Sequence, residues 1–434
     1  MKQKHVFHLI GRLILWLLVF CLLMAGISAC SSKSGKTLMS LEGQKLPVNL
    51  YNLYISRYKA VLASNGYSVG DASFWNTIIN KETQSTYDDF FCSRILDNCK
   101  LYLTVLWLFE KEGLSLSEEQ KNSIEETMNE FLINDGDGSK AALNQILADY
   151  DVNYALLKDA YLIEAKYNAL LQHYYGSRAS QISDEIKNEF VKENYYCFKQ
   201  LFVSYYYYVY ELDDNGDIIY YDPETNQYMY DTENGKIRYE EGKVVKDRFN
   251  NPVYFLEDGS VAYDTVNGKK NEIDNDQDSY CDTEYYSSEE KAAQREKADT
   301  LYQYTQEHTM TLGMFEDMID EYSDADNQFQ YLKKDVTYAY SYVNQIAEAL
   351  ETLSVGGIAL VETDYGCHIL MSCSPESNAW EKETASGVFD SFADDITSQF
   401  LYEKCQAYFE KITIDEKVLE TALNFKTALA DYYY

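Results

Sequence analysis

The chain has 434 residues, of which 71 are acidic and 37 basic, so its formal charge is −34. A chain of this length can form two or three domains, each with its own hydrophobic core. So large a negative charge repels the phosphate backbone and argues against nucleic acid as a partner. Apart from 42 tyrosines the composition is ordinary, with 46% hydrophobic and 25% charged residues.

The N-terminus has the layout of a secretory signal peptide. Three basic residues precede the apolar run 13–24, small residues follow it, and the run is too short to span a membrane permanently. The tetrapeptide Ile-Ser-Ala-Cys at 27–30 resembles a bacterial lipobox, whose cysteine is acylated. The sequence therefore predicts a signal peptide at 1–29, a lipidated Cys30, a tether at 30–36 and a location on the outer face of the bacterial cell membrane.

Residues 37–194 are predicted to form an all-helical domain that opens with a short strand and turn. Apolar residues recur there at helical spacing, and the tyrosine and leucine stripes are expected to form its core. Ser117 followed by Gln120 is a capping box, which predicts the start of a helix. Further helices are predicted at about 50–61, 71–79, 87–112, 140–150 and 154–174, and another from Ser183.

From Tyr195 the sequence period changes from helical to extended. The segment 204–288 is rich in tyrosine and carries 20 acidic and 7 basic residues. Its turn signals at Asn215-Gly216, Asn234-Gly235 and Asp258-Gly259 are each followed by alternating residues that end in tyrosine. Because Asn-Gly and Asp-Gly favour the positive φ angles of tight hairpins, the segment is predicted to form a meander of β-hairpins.

The end of this tyrosine-rich segment spaces its carboxylates like a calcium loop. Asp274, Asp276, Asp278 and Asp282 stand at positions 1, 3, 5 and 9, where alternate residues can turn oxygens toward one cation. The glycine of the sixth position and the glutamate of the twelfth are absent. The sequence therefore allows two interpretations of this segment, a calcium site or a solvated acidic loop. No other cofactor is predicted.

Helical patterning resumes after this segment at about 288–307, 312–322 and 338–350. A Gly-Gly turn at 356–357 then opens a predicted hairpin whose second strand carries His368 between apolar neighbours. Beyond Pro375 the pattern is helical again toward the C-terminus. The sequence thus predicts an α+β fold, in which His368 is either a packed core residue or part of a site built on a sheet.

Segments on both sides of 204–288 resemble parvulin-type peptidyl-prolyl isomerases. Residues 315–324 read F-E-D-M-I-D-E-Y-S-D, similar to the family's helix F-x-x-L-A-x-x-Y-S-D. Residues 349–369 are similar to its closing pattern, and 199–203 stand where the family has its first strand. Together with the lipobox, the helical region and Ile-Thr-Ile at 412–414, the order of these motifs resembles the PrsA/SurA-type foldases.

The resemblance implies a domain organisation. A parvulin-like α/β domain is expected at 195–375, interrupted by the insertion 204–288. The C-terminal helices at 376–434 are expected to pack on the helical domain 37–194, which resembles the chaperone domain of those foldases. Unfolded or secreted polypeptides are the implied partners, and pairing of two chains as a homodimer remains open.

The resemblance also implies an isomerase site in which two histidines on adjacent strands hold the prolyl carbonyl. His368 stands at the second histidine position and Thr363 at the family's threonine. Gln200 occupies the first histidine position, and Ala325 the position of a cysteine or aspartate. Catalysis must stabilise a twisted amide against a barrier of about 18–20 kcal/mol, so the loss of two polar groups implies weak or lost isomerase activity.

Tyr342 and Ile346 stand at the positions of the family's apolar proline pocket, which implies that peptide binding is retained. The first hypothesis is therefore a membrane-anchored, extracytoplasmic foldase or chaperone with impaired isomerase activity. Two alternatives remain: a cell-envelope binding lipoprotein that acts through the tyrosine-rich insertion, and an active parvulin-type isomerase.

Overall fold

A computed structural model describes residues 35–270, 272–273, 281–382, 384, 386–432 and 434. Helices and strands both contribute to it, which confirms the α+β class in outline. The predicted lipidation site Cys30 and three of the calcium-loop carboxylates, Asp274, Asp276 and Asp278, lie outside the described residues.

The α-helices lie on both sides of the tyrosine-rich insertion. In chain order they are α1 (Val48–Ser64), α2 (Ala72–Trp75), α3 (Tyr87–Lys111), α4 (Glu118–Asn134), α5 (Lys140–Leu147), α6 (Tyr154–Tyr175), α7 (Asp184–Asn194), α8 (Ser288–Glu307), α9 (Leu312–Tyr322), α10 (Ser341–Glu351), α11 (Phe392–Gln406) and α12 (Glu416–Leu419). Single turns of 3-10 helix lie at Ala148–Tyr150, Ser177–Ala179, Ala379–Glu381 and Phe409–Lys411.

The strands are short except in one sheet. In chain order they are β1 (Thr37–Leu41), β2 (Gln44–Pro47), β3 (Ile78–Asn80), β4 (Ser85–Thr86), β5 (Tyr195–Ser204), β6 (Tyr206–Tyr208), β7 (Tyr220–Tyr221), β8 (Lys236–Ile237), β9 (Tyr239–Glu240), β10 (Lys243–Val244), β11 (Tyr254–Phe255), β12 (Lys269–Lys270), β13 (Thr283–Tyr285), β14 (Gln330–Lys333), β15 (Ile358–Thr363), β16 (Gly366–Ser372) and β17 (Thr413–Ile414).

The chain divides into two compact units, which we call the helical unit and the sheet unit. The helical unit comprises the described residues up to Ser183 together with Ser391–Tyr434, and the sheet unit comprises Asp184–Asp390. The boundaries differ from those expected at 194 and 375. Helix α7 runs directly into β5, and Phe389 packs on Tyr195 and Tyr331 at centroid distances of 5.1 and 5.0 Å, so both flanking segments join the sheet.

The C-terminal segment of the helical unit shares one core with the N-terminal helices. Phe425 is fully buried, and its ring stacks on Trp75 at 5.0 Å and lies 5.6 Å from Phe91 of α3. The β1–β2 hairpin takes β17 as its third strand, with Met39 opposite Ile414. Residues separated by most of the chain length therefore stabilise the same unit.

Local capping explains where two of the long helices begin. The hydroxyl of Ser117 accepts the Gln120 N–H at 3.1 Å and the Gln120 side chain accepts the Ser117 N–H at 2.9 Å, which is the predicted capping box. Thr86 and Asp89 form a second capping box at the start of α3. The helix predicted at 71–79 is shorter, because the chain turns into β3, whose β-branched residues favour a strand.

The sheet unit is built on a four-stranded antiparallel sheet in the order β14-β5-β16-β15. Its register sets His368 opposite Phe202 and Leu370 opposite Gln200. Directly opposed residues point to the same face, so these four side chains share one face. Helix α10 covers part of that face through Ile346, which clusters with Leu370.

The insertion between β5 and α8 differs from the predicted meander, because its strands pair as nested ladders. The pairs β6–β13, β7–β12, β8–β11 and β9–β10 lie one inside the next. The outermost residues tie the insertion to the sheet, since the Tyr205 N–H donates to Tyr365 O at 2.8 Å and the Tyr286 N–H to Tyr205 O at 2.9 Å.

The insertion consists of two copies of one structural repeat rather than the three units that its turn signals suggested. The sequence Tyr-Asp-Thr-x-Asn-Gly-Lys occurs at 230–236 and again at 263–269. Each copy begins with an aspartate, Asp213 or Asp247, whose Oδ1 accepts the N–H groups of the residues two and four positions later. In each copy a strand pairs with the end of the other copy, so the two interlock.

Tyr230 and Tyr263 are equivalent residues of the two copies and meet at their contact. They form a β-bridge, and their rings stack at 5.6 Å with an interplanar angle of 19°. Gly235 and Gly268 are also equivalent, and a Cβ at Gly268 would lie 2.8 Å from the Cβ of Tyr220. The repeat therefore requires glycine there for close packing.

We expect the substitution Phe425→Ala to destabilise the full chain by about 3–5 kcal/mol, because it leaves a cavity beside Trp75 and Phe91. Urea unfolding followed by circular dichroism at 222 nm measures the loss. Leu429→Ala is the matched control, since Leu429 is 43% exposed, and it should cost less than about 1 kcal/mol. Equal losses in the two variants would contradict a shared core.

Candidate functional site

His368 lies at the centre of the sheet and is only 4% exposed. Its Nδ1 is 3.2 Å from Gln200 Oε1 on β5, and its Nε2 is 3.0 Å from Thr363 Oγ1 on β15. The ring of Phe202 stacks on the imidazole at 4.7 Å. Three neighbouring strands therefore hold this one side chain from both nitrogens and one ring face.

These hydrogen bonds define the tautomer of the imidazole. Because Gln200 presents its carbonyl oxygen, Nδ1 of His368 carries the hydrogen and Nε2 accepts from the Thr363 hydroxyl. Burial lowers the pKa of His368 from 6.5 to about 4, since no carboxylate compensates the loss of solvent. The ring is therefore neutral at pH 7, and both of its nitrogens are engaged.

A cavity of about 680 Å³ opens beside this histidine. Gln200 and His368 line it from the sheet, and Tyr342 and Ile346 line it from α10. The Tyr342 ring is held edge-on by Tyr365 at 5.1 Å. The structure thus brings both residues expected for the proline pocket next to the histidine and the glutamine.

Thr363 and Ala325 do not line this cavity. Thr363 acts on it indirectly, through its hydrogen bond to His368. Ala325 follows α9, and its N–H donates to Ser323 Oγ at 3.0 Å. The neighbouring Asp324 bonds along β5, where its Oδ2 accepts from the N–H and the hydroxyl of Ser204 at 2.8 and 3.0 Å.

Other residues of the cavity wall were not anticipated from the sequence. Lys199 is buried, and its Nζ lies 3.0 Å from Glu316, 2.9 Å from Asn327 Oδ1 and 4.4 Å from the centroid of the Phe329 ring. Thr384 also lines the cavity, and its buried hydroxyl has no hydrogen-bond partner among the described residues. For Lys199 the sequence offered one signal: it stands in a largely apolar strand. A lysine buried there requires a polar partner, which predicts other polar groups nearby.

The tyrosine-rich insertion does not contribute to this cavity, since none of its described residues is in the wall. The insertion begins instead at the end of β15 and the turn that follows it, where the Tyr205 hydroxyl donates to Glu362 at 2.7 Å and the Tyr205 N–H donates to Tyr365 O. Most of its tyrosines pack against one another, as Tyr230 and Tyr263 do. These contacts favour a structural role for those rings.

Asp282 is the calcium-loop residue that the structure describes; its N–H donates to Ile273 O at 2.7 Å. Within the described ranges no cluster of three or more His, Cys, Asp or Glu residues is suited to a metal ion. The same part of the chain contains no helix long and apolar enough to cross a membrane.

The comparisons with known proteins do not identify a family for this chain. No protein-family model matches the chain, and a search of curated proteins finds no match. Among solved structures, the chain is similar to the crystal structure of PrsA from Bacillus subtilis, with 13% identity, 80% of this chain and 94% of that chain covered, and a TM-score of 0.18. So low a TM-score carries no argument about this chain.

We expect the stability of the sheet unit to fall as the pH is lowered from 6.5 to about 4. The pKa of His368 is lower in the folded state, so the unfolded chain binds more protons in this window, and the loss is on the order of 3 kcal/mol. The measurement compares unfolding free energies at pH 7.5 and 4.5 for the wild type and for His368→Gln. The variant cannot take up this proton and should lose less, whereas identical losses would contradict a buried neutral His368.

Proposed function

We propose that the chain is an extracytoplasmic, lipid-anchored foldase or chaperone that binds unfolded secreted polypeptides and isomerises prolyl bonds weakly or not at all. The observation that carries this proposal is the cavity beside His368, into which Tyr342 and Ile346 project with Gln200. The anchor rests on the lipobox-like sequence that ends at Cys30.

The cavity suits a short stretch of polypeptide. Its volume of about 680 Å³ lies within the range of roughly 300–1,000 Å³ typical of small-ligand sites. Apolar and aromatic side chains such as Tyr342, Ile346 and Phe329 would receive a proline ring. Gln200 and Thr384 would supply hydrogen bonds to the flanking backbone.

The same geometry supports the expectation that any isomerase activity is weak. Isomerisation requires groups that bind the twisted amide more strongly than the planar one. His368 is neutral, and its nitrogens already bond to Gln200 and Thr363, so neither offers a free donor to the prolyl carbonyl. Ground-state binding of a peptide needs no such group, and it persists where catalysis is lost.

We expect Tyr342→Ala to weaken the binding of an unfolded, proline-containing peptide about tenfold, because an aromatic contact is worth about 0.5–1.5 kcal/mol beyond its buried area. Fluorescence anisotropy with a labelled peptide measures the dissociation constant. Tyr239→Ala is the control, since Tyr239 is 65% exposed in the insertion and does not line the cavity. The same variants are tested for suppressing aggregation of an unfolded client, and a wild-type chain that neither binds nor suppresses would refute the proposal.

We expect the chain to accelerate cis/trans exchange of a prolyl peptide only slightly, and His368→Ala to change that rate little, because neither ring nitrogen is available to substrate. NMR exchange spectroscopy of the peptide measures the rate directly. A fast exchange that His368→Ala abolishes would instead establish an active isomerase.

A further inference from the structure

A second cleft lies on the other face of the sheet from His368. Side chains alternate along a strand, so Leu201 and Ile369 point away from the His368 face. Helices α8 and α9 cover this second face, with Phe315 and Ile319 of α9 buried. Between the two helices a cleft of about 410 Å³ opens to solvent.

The floor of this cleft is apolar and deformable. Leu301 lines it from α8, and Met314 and Met318 line it from α9. Two aromatic rings flank the floor, Tyr304 at 43% exposure and Tyr322 at 37%. Methionine adapts its shape to varied apolar partners, so such a floor accepts different aliphatic or aromatic side chains.

Two carboxylates line the same cleft, and Lys297 of α8 reaches one end of it, where its Nζ donates to Tyr322 O at 3.1 Å. Asp317 and Glu321 stand one helical turn apart on α9, and both are exposed. Neither makes an ion pair within the part of the chain that the structure describes; Glu321 accepts a hydrogen bond from the Tyr322 hydroxyl.

The other two carboxylates of the same helix lie outside the cleft and bond to neighbouring parts of the sheet unit. Glu316 pairs with Lys199 at 3.0 Å, and Asp320 accepts from Asn327 Nδ2 at 2.8 Å. Of the four carboxylates of α9, only Glu316 forms an ion pair among the described residues, so Asp317 and Glu321 bring two unpaired negative charges to the cleft.

We propose that this cleft is a second polypeptide site, which binds an extended segment whose apolar side chain is flanked by lysine or arginine. The apolar side chain would enter between Leu301 and Met318, and the cation would reach Asp317 and Glu321. A net charge of −34 draws such segments toward the protein. The identity of the segment as part of a client rests on the proposed function, whereas the chemistry of the cleft does not.

The two sites would recognise different features of one unfolded chain. The cavity at His368 takes proline-containing stretches, and this cleft takes basic apolar stretches. Because they lie on opposite faces of the same sheet, a client long enough to pass around the unit can occupy both. Simultaneous occupation raises the effective concentration of the second segment and tightens the overall binding.

The test uses two labelled peptides that lack proline and share one central phenylalanine, one with flanking lysines and one with flanking glutamates. The full mature chain is expected to bind the lysine peptide at least tenfold more tightly at 50 mM salt, and the preference should shrink at 500 mM as screening increases. Removing two exposed charge contacts with Asp317→Asn/Glu321→Gln should weaken the lysine peptide by about fivefold to tenfold.

The matched control is Glu289→Gln/Glu296→Gln, which removes the same charge from α8 outside the cleft. It should leave the affinity for the lysine peptide within about twofold, since only long-range steering changes. Equal loss in both double variants, or equal binding of both peptides, would overturn the proposal. Circular dichroism verifies that each variant is folded.

The test of the second site and the test of the proposed function can fail independently of each other. Proline-peptide binding that Tyr342→Ala weakens, without preference for the lysine peptide, removes the second site and leaves the foldase proposal intact. A cleft that binds the lysine peptide in a chain that neither binds proline peptides nor suppresses aggregation supports the second site and refutes the foldase proposal.

Discussion

The sheet unit depends on the antiparallel pairing of β5 with β16. This pair occupies the middle of the four-stranded sheet, and it fixes which side chains share a face. It sets His368 with Gln200 on the side of α10, and it turns Leu201 toward α8 and α9. A shift of one residue would exchange the two faces, so the cavity and the second cleft both require this single register.

Local sequence signals predicted the elements better than their pairing. Helix α3 begins at the predicted residue, and the capping box at Ser117 is present, because capping and apolar spacing act within a few residues. The nested ladders of the insertion join residues as far apart in sequence as Tyr206 and Tyr285, which turn signals cannot specify. Similarly, the resemblance placed His368, Gln200, Tyr342 and Ile346 at one site, whereas Lys199 and Thr384 reach the cavity only through tertiary packing.

The position of the insertion explains how the sheet accommodates it. The first and last residues of the insertion are neighbours, since the Tyr286 N–H donates to Tyr205 O. The chain therefore leaves and rejoins the sheet at one point, and the pairing of β5 is not interrupted. Inside it, the two repeats pair with each other through β7–β12 and β8–β11, and Tyr230 stacks on Tyr263 between them. Paired aromatic rings pack there together with the buried aliphatic side chains of Ile219, Val253 and Ala262.

Gln200 completes the hydrogen bonding of the buried imidazole without adding a charge. A neutral histidine has one donor and one acceptor, and Gln200 and Thr363 satisfy both, so burying it costs little. A second histidine at this position would couple the titration of the two rings and leave a proton to be shared. The glutamine removes that freedom, and the ring stays in one protonation state at neutral pH. The same two hydrogen bonds that make His368 stable in the sheet therefore leave neither of its nitrogens free to bond a group in the cavity.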